Sequence, residues 1–286
     1  LEPFQKNFGK LADSLEDTPA GGTRAAEAIM TTDTVSKEVA VRFPLGGKMC
    51  KLGGISKGSG MIAPNMSTML CFLTTDAAIS SVALKRALTT VTADTFNMLS
   101  VDGDTSTNDM VSILANGMAG NAPIEACMGT DYEAFVAALY KVCEKLCAIM
   151  AKDGEGATKL LVCEVTGAKS TAVAKLVAKA VIKSTLLKAA IFGADANWGR
   201  VLCAIGYAGA DVDVTKVDVN FRSNRGLIPV CRGGAGVAFS EETAKEILMD
   251  DEITVQVALN SGSASAKAWG CDLTYDYVKI NGDYRT

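Results

Sequence analysis

Lys57-Gly58-Ser59-Gly60-Met61-Ile62-Ala63-Pro64-Asn65-Met66-Ser67-Thr68-Met69-Leu70-Cys71-Phe72-Leu73 is a glycine- and proline-containing loop that ends on a threonine and passes straight into an apolar strand. A threonine in that place can serve as an N-terminal nucleophile. Its hydroxyl attacks the Ser67 carbonyl, the Ser67–Thr68 bond breaks, and the liberated α-amine sits within reach of the same hydroxyl as its base. The residue before the cut must be small for its carbonyl to be approached, and Ser67 is small. Threonine also opens ordinary strands, so the stretch alone leaves both readings standing.

Composition narrows the chemistry. The 286 residues include no histidine, which excludes Ser-His-Asp and Cys-His catalysis and histidine-ligated metals. A base near neutral pH must then be a desolvated lysine, a raised carboxylate or a free α-amine, and of these only the α-amine has an unperturbed pKa of about 8. The net charge is −4 and the signs are mixed along the chain, so nucleic acid is not an expected partner. Apolar stretches such as Met69–Leu73 and Lys159–Val165 are too short to span a bilayer, and no membrane role is expected. Leu1-Glu2-Pro3-Phe4 is neither an initiator start nor a signal sequence, and further residues upstream are expected.

The nine cysteines, Cys50, Cys71, Cys127, Cys143, Cys147, Cys163, Cys203, Cys231 and Cys271, show no C-x-x-C pair, and without histidine no zinc site is expected. Most lie in apolar segments, as buried reduced thiols do, which points to a reducing compartment.

Hydrophobic periodicity predicts helices over 1–16, 25–30, 80–97, 132–151, 170–183, 194–206 and 240–249. Strands are predicted over 38–44, 49–52, 68–74, 110–114, 159–165, 212–221, 227–231, 252–259 and 272–280, with Gly46-Gly47 as a hairpin turn. Residues 53–60 read as a glycine-rich loop. The alternation lacks β-α-β regularity, so layered mixed sheets are expected rather than a parallel doubly wound sheet. A soft boundary near residue 160 divides a nucleophile-bearing layered domain, 1–160, from a C-terminal α/β domain, 161–286.

Other stretches carry weaker signals. Lys57 lies in a glycine loop that lacks P-loop order and reads either as a carboxylate or charge partner on a shaped backbone wall or as a solvated lysine. Thr31-Thr32-Asp33-Thr34 reads as a capping turn. Asp102-Gly103-Asp104-Thr105-Ser106-Thr107-Asn108-Asp109 lacks the sixth-position glycine and closing glutamate of a calcium loop, so no metal is expected there and the stretch reads as a tight turn with Asx hydrogen bonds. Glu155, between two glycines, presents a carboxylate on bare backbone, either as a surface turn or for a cationic ligand.

The segment 57–70 together with 102–109 resembles the ornithine acetyltransferase (glutamate N-acetyltransferase) family. The likeness continues through Asp153-Gly154-Glu155-Gly156-Ala157-Thr158-Lys159, Gly193-Ala194-Asp195-Ala196-Asn197-Trp198-Gly199-Arg200 and Asp276-Tyr277-Val278-Lys279-Ile280-Asn281. The resemblance implies an α+β fold, a layered α/β/β/α N-terminal-nucleophile-like sandwich with mixed sheets and a smaller α/β C-terminal domain. It implies a self-cleaving acyltransferase of arginine biosynthesis, cut between Ser67 and Thr68. Its catalytic Thr68 carries acetyl from N2-acetylornithine to glutamate in a ping-pong cycle.

By matching motif, the substrate-binding residues are Thr31, Lys57, Thr68, Glu155, Asn281 and Thr286. No cofactor is implied, and acetyl-CoA is left open as a second donor. The family forms a tetramer of two α and two β chains in the cytoplasm, or in an organelle matrix in eukaryotes. Family members usually carry Ala where this chain has Ser67. They also have an upstream segment whose Thr-Gly pair forms the oxyanion hole, and loss of one such donor costs about 10²–10³ in rate. Two alternatives remain at this stage: an N-terminal-nucleophile aminopeptidase or amidase, and a non-catalytic fragment that only binds ligand.

Overall fold

The computed structural model describes residues 1–62, 69–105 and 108–283. Helix α1 (Glu2–Asp13) has the predicted apolar face of Phe4, Phe8 and Leu11 but buries none of its residues. Helix α2 (Pro19–Ala28) begins six residues before the sequence reading placed it. The cause is local: the Thr18 hydroxyl accepts from the Gly21 N–H at 3.0 Å, and Pro19 fits the first helical position, where no N–H is needed.

Strand β1 (Lys37–Leu45) turns through Gly46 and Gly47, at φ +52° and +78°, into β2 (Lys48–Lys57). Both positive angles suit a two-residue turn that follows the strand twist. Here the sequence reading needs correction, because β2 runs on through Gly53 and Gly54 to Lys57 rather than ending in a loop at Leu52. A Cβ on Gly54 would run into the Leu73 side chain and come within 3.2 Å of Leu146 Cδ1. Glycine here lets a helix lie close on the sheet.

Strand β3 (Leu70–Thr75), helix α3 (Ser81–Asp94, capped by Ser80), strand β4 (Met110–Ala115) and helix α4 (Thr130–Lys152) follow. The first sheet has the order β1-β2-β3-β4, antiparallel until the parallel pair β3–β4. Helix α4 packs on β1, β2 and α3, and also reaches the second sheet. Its inner face of Phe135, Leu139, Val142, Cys143, Leu146, Cys147 and Met150 is fully buried, and each large side chain removed from water there contributes roughly 1.5–3 kcal/mol.

The second half comprises β5 (Leu160–Ala168), α5 (Thr171–Lys183), α6 (Thr185–Phe192), α7 (Trp198–Gly206), β6 (Asp218–Ser223), β7 (Gly226–Arg232), β8 (Ala235–Gly236), α8 (Glu241–Leu248), β9 (Glu252–Ala258), β10 (Ala264–Cys271) and α9 (Tyr275–Asp283). They build a mixed sheet, β10-β5-β9-β6-β7-β8, with α5 laid over β10 and β5. The α+β class and the mixed sheets agree with the sequence reading. Buried Lys159 joins this half together: its ammonium donates to the Ile191 and Leu248 carbonyls at 2.8 and 2.7 Å, at the last turns of α6 and α8, where a cation is favoured.

Further elements differ from expectation. Helix α6 was not anticipated, although Ser184 caps it by accepting from Leu187 N–H. The final strand predicted over 272–280 is instead helix α9, and the edge strand is β10, one segment earlier. The β10 stretch, Ala-Ser-Ala-Lys-Ala-Trp-Gly-Cys, is poor in β-branched residues. It forms a strand because its small side chains allow close packing. A Cβ on Gly270 would lie 3.0 Å from the Ser100 carbonyl oxygen and 3.2 Å from Ile182 Cβ. Tertiary context here overrides propensity.

All nine cysteines are free thiols, and all but Cys127 and Cys203 are buried. Among the described residues, no helix is long and apolar enough to cross a membrane, and no group of three or more His, Cys, Asp or Glu is placed to hold a metal ion.

Candidate active site

Sheet register brings the site residues to one end of the first sheet. Lys57 stands opposite Leu70, and Leu70 opposite Met110. The residue before Leu70 is held from the neighbouring strand, because Asp109 Oδ1 accepts from the Met69 N–H at 2.8 Å. Burial raises the Asp109 carboxyl above the usual carboxylate range, against the lowering effects of that N–H and of the nearby Lys57 charge. Sequence reading had treated Asp109 as the end of a turn. Thr68, expected as the nucleophile, Ser67, expected on the other side of the cut, and Thr286, expected to bind substrate, lie outside the described residues.

Lys57 is almost entirely buried, and its ammonium donates to the Thr31 hydroxyl at 3.2 Å. The segment 31–35 is fixed by Asp33, which accepts from the Thr31 N–H at 3.1 Å, from the Gly58 N–H at 2.7 Å and from the Lys37 ammonium at 2.6 Å. Burial opposes ionisation of Asp33, but the bonds from Gly58, Lys37 and Thr31 outweigh it and hold its carboxyl below the ordinary value. The Thr32 and Ser59 hydroxyls lie 2.6 Å apart. Thr31 and Lys57 are therefore brought together, and the turn reading of 31–34 is only part of its role.

Glu155 comes from the loop after α4. Its N–H donates to the Ser59 carbonyl at 2.8 Å, and a Cβ on Gly60 would meet its carboxylate, 2.5 Å from Oε1. The glycine thus clears room for the acid. Gly156, at φ +67°, lets the backbone of α9 approach: a Cβ there would sit 2.5 Å from the Tyr277 nitrogen. The Thr274 hydroxyl donates to the Gly156 carbonyl at 2.6 Å and accepts from the Tyr277 N–H. One turn further along α9, the Asn281 amide donates to Glu155 Oε2 at 3.0 Å. Burial and the charges of Asp102, Asp104 and Glu155 push the Tyr277 hydroxyl up to about 12.

The Asp102 loop acts as a brace. Asp102 accepts from the Met61 and Ile62 N–H groups at 2.6 and 3.0 Å and turns on itself through the Asp104 N–H. This anchors the front of the segment that leads to position 68. A cleft of about 560 Å³, lined by Thr34, Asp153, Gly156, Asp276 and Lys279, adjoins the Glu155 loop. A separate cavity of about 410 Å³, lined by Asp94, Tyr140, Glu164, Lys175 and Lys267, contains none of the sequence-predicted residues.

A family description, the ArgJ family, matches residues 1–286. The chain belongs to the ArgJ family. A curated ArgJ relative, the arginine biosynthesis bifunctional protein ArgJ 1 of Clostridium acetobutylicum, is 53% identical over 263 residues, 92% of this chain and 64% of that protein. The arginine biosynthesis bifunctional protein ArgJ of Caldanaerobacter subterraneus is 52% identical over 287 residues, 100% of this chain and 70% of that protein. The chain thus spans about two thirds of the length of these ArgJ relatives. The crystal structure of arginine biosynthesis bifunctional protein ArgJ from Bacillus halodurans is similar at a TM-score of 0.71 and 47% identity, covering 74% of this chain and 98% of that one.

Proposed function

We propose that this ArgJ-family chain is the larger part of an acetyltransferase of arginine biosynthesis that moves acetyl from N2-acetylornithine to glutamate. The observation that carries the reading is the pairing of a buried cation with an accessible acid on adjacent backbone. Lys57 is bonded to Thr31, and Glu155 is bonded to Asn281 and seated against Gly60, three residues from Lys57. Such a pair suits a ligand with a carboxylate at one end and an ammonium at the other. Lys57 receives the α-carboxylate of N2-acetylornithine and Glu155 its side-chain ammonium.

The cycle begins with self-processing. Thr68 Oγ attacks the Ser67 carbonyl, the acyl group shifts from nitrogen to oxygen and so frees the Thr68 α-amine, and water then cleaves the ester, releasing the Thr68 hydroxyl and leaving Ser67 as a carboxylate. That amine then takes the proton from Thr68 Oγ as the hydroxyl attacks the acetyl carbonyl. It returns the proton to the departing ornithine nitrogen, leaving an acetyl ester on Thr68. The amine of glutamate attacks this ester, N-acetylglutamate leaves, and Thr68 regains its proton. The proposed cycle needs no cofactor, and the assembly is two α and two β chains from one precursor.

The test is acetyl transfer with labelled N2-acetylornithine. Label passing to glutamate, with little free acetate and none passing after Thr68→Val, supports the reading. Release of acetate with glutamate ignored would replace it with an amidase. Labelled acetyl-CoA in the same assay reports whether it serves as a second donor.

A further inference from the structure

Lys37 is fully buried and belongs to none of the substrate-facing residues, yet it carries a charge. Its ammonium donates to Asp33 and to Asp153 at 2.6 Å each, and to the Val35 carbonyl at 3.2 Å. Asp153 in turn accepts from the Thr34 N–H at 3.1 Å, from the Thr34 hydroxyl and from the Val35 N–H. As a source of stability this is a poor choice, because a buried ion cluster replaced by apolar side chains of similar volume is often no less stable. What apolar side chains do not supply is direction. Each carboxylate here is aimed at named backbone N–H groups.

Those groups belong to the substrate site. Asp33 holds the N–H of Thr31 and the N–H of Gly58, next to Lys57. Asp153 stands two residues before Glu155, on the loop whose path the Ser59 carbonyl also fixes. We propose that the Asp33–Lys37–Asp153 cluster is the positioning device of the site, with Lys37 setting the distance between the carboxylate-binding half (Thr31, Lys57) and the ammonium-binding half (Glu155, Asn281). The proposal rests on the ornithine reading given above. Lys37, Asp33 and Asp153 are positioning residues: they act through the side chains they orient.

Substrate contacts made equally in ground and transition states set KM rather than kcat. Misplacing them through a remote residue can cost about 10²-fold. The experiment compares Asp153→Asn and Lys37→Met with the wild type in the full-length, self-processed protein, measuring steady-state kinetics and, independently, ornithine binding by calorimetry. The expected result is a rise of about tenfold or more in the KM for N2-acetylornithine and in the Kd for ornithine, with kcat changed by less than about threefold. Asp153→Asn keeps the side-chain shape, so it decides the question where Lys37→Met does not fold. A folded Asp153→Asn protein with wild-type KM and ornithine affinity overturns the positioning role. A wild type that binds ornithine without transferring acetyl overturns the reaction reading instead.

Discussion

The Asn281 amide donates to the Glu155 carboxylate at 3.0 Å across 126 positions of sequence, and the same amide is tethered to the Tyr277 carbonyl one helical turn back. The acid is therefore aimed by the last described helix. Asn281→Ala removes the aim and leaves the charge. The expected outcome is a weaker site: KM for N2-acetylornithine rises about three- to tenfold, corresponding to loss of a charge-assisted hydrogen bond, while thermal stability is unchanged. Steady-state kinetics beside a melting curve check this. An unchanged KM would mean that Glu155 is held in place without Asn281.

Two glycines flanking this acid should respond differently to alanine. At Gly60 the added methyl meets the flexible end of Glu155, so Gly60→Ala is expected to displace the carboxylate and raise KM, with little loss of stability. At Gly156 it meets the backbone of Tyr277 and Asp276 at positive φ, so Gly156→Ala strains the loop and pushes α9 away, costing about 1–3 kcal/mol. Denaturant titration of both variants separates the cases, and equal losses would contradict the geometry.

Asp33 links folding to pH. Its carboxyl ionises more readily in the folded chain than in the unfolded one, so its contribution is present above the unfolded value of about 3.9 and is lost as pH falls through the lower folded value. The stability difference between wild type and Asp33→Asn is therefore expected to be large at neutral pH and to shrink as pH falls below about 4. Urea titrations across that range measure it. A difference that stays constant with pH would remove the ionised Asp33 from the account.

Thiol chemistry tests the core. Cys127 and Cys203 are exposed, whereas Cys50, Cys71, Cys143, Cys147, Cys163, Cys231 and Cys271 are buried, and burial pushes the Cys143 thiol up to about 12. An aromatic disulfide reagent should label the two exposed thiols rapidly in the native protein and all nine in guanidinium. Rapid native labelling of Cys143 or Cys147 would contradict the packing of α4 against the first sheet.

The fold was most legible where one residue type leaves little choice. Gly46-Gly47 announced the β1–β2 turn, Ser80, Ser170 and Ser240 announced helix starts, and the α4 stripe announced its buried face. It was least legible where packing overrode propensity, as in β10, or where a single hydroxyl decided the outcome, as with Thr274 at the start of α9. Within the site, Thr31, Lys57, Glu155 and Asn281 came from motif likeness, and the structure joins them in two bonded pairs. Lys37 was missed although a signal existed. It has the same strand parity as Val39, Val41, Phe43 and Leu45, so a charge stood on the face turned to the core. Its partners Asp33 and Asp153 are 4 and 116 positions away, and the distant one is beyond what periodicity can reveal.

The most direct measurement is intact-protein mass spectrometry before and after N2-acetylornithine is added. The account predicts two fragments divided between Ser67 and Thr68, with one acetyl mass appearing on the fragment that begins at Thr68 and leaving when glutamate follows. A single uncleaved mass that takes up no acetyl would contradict it.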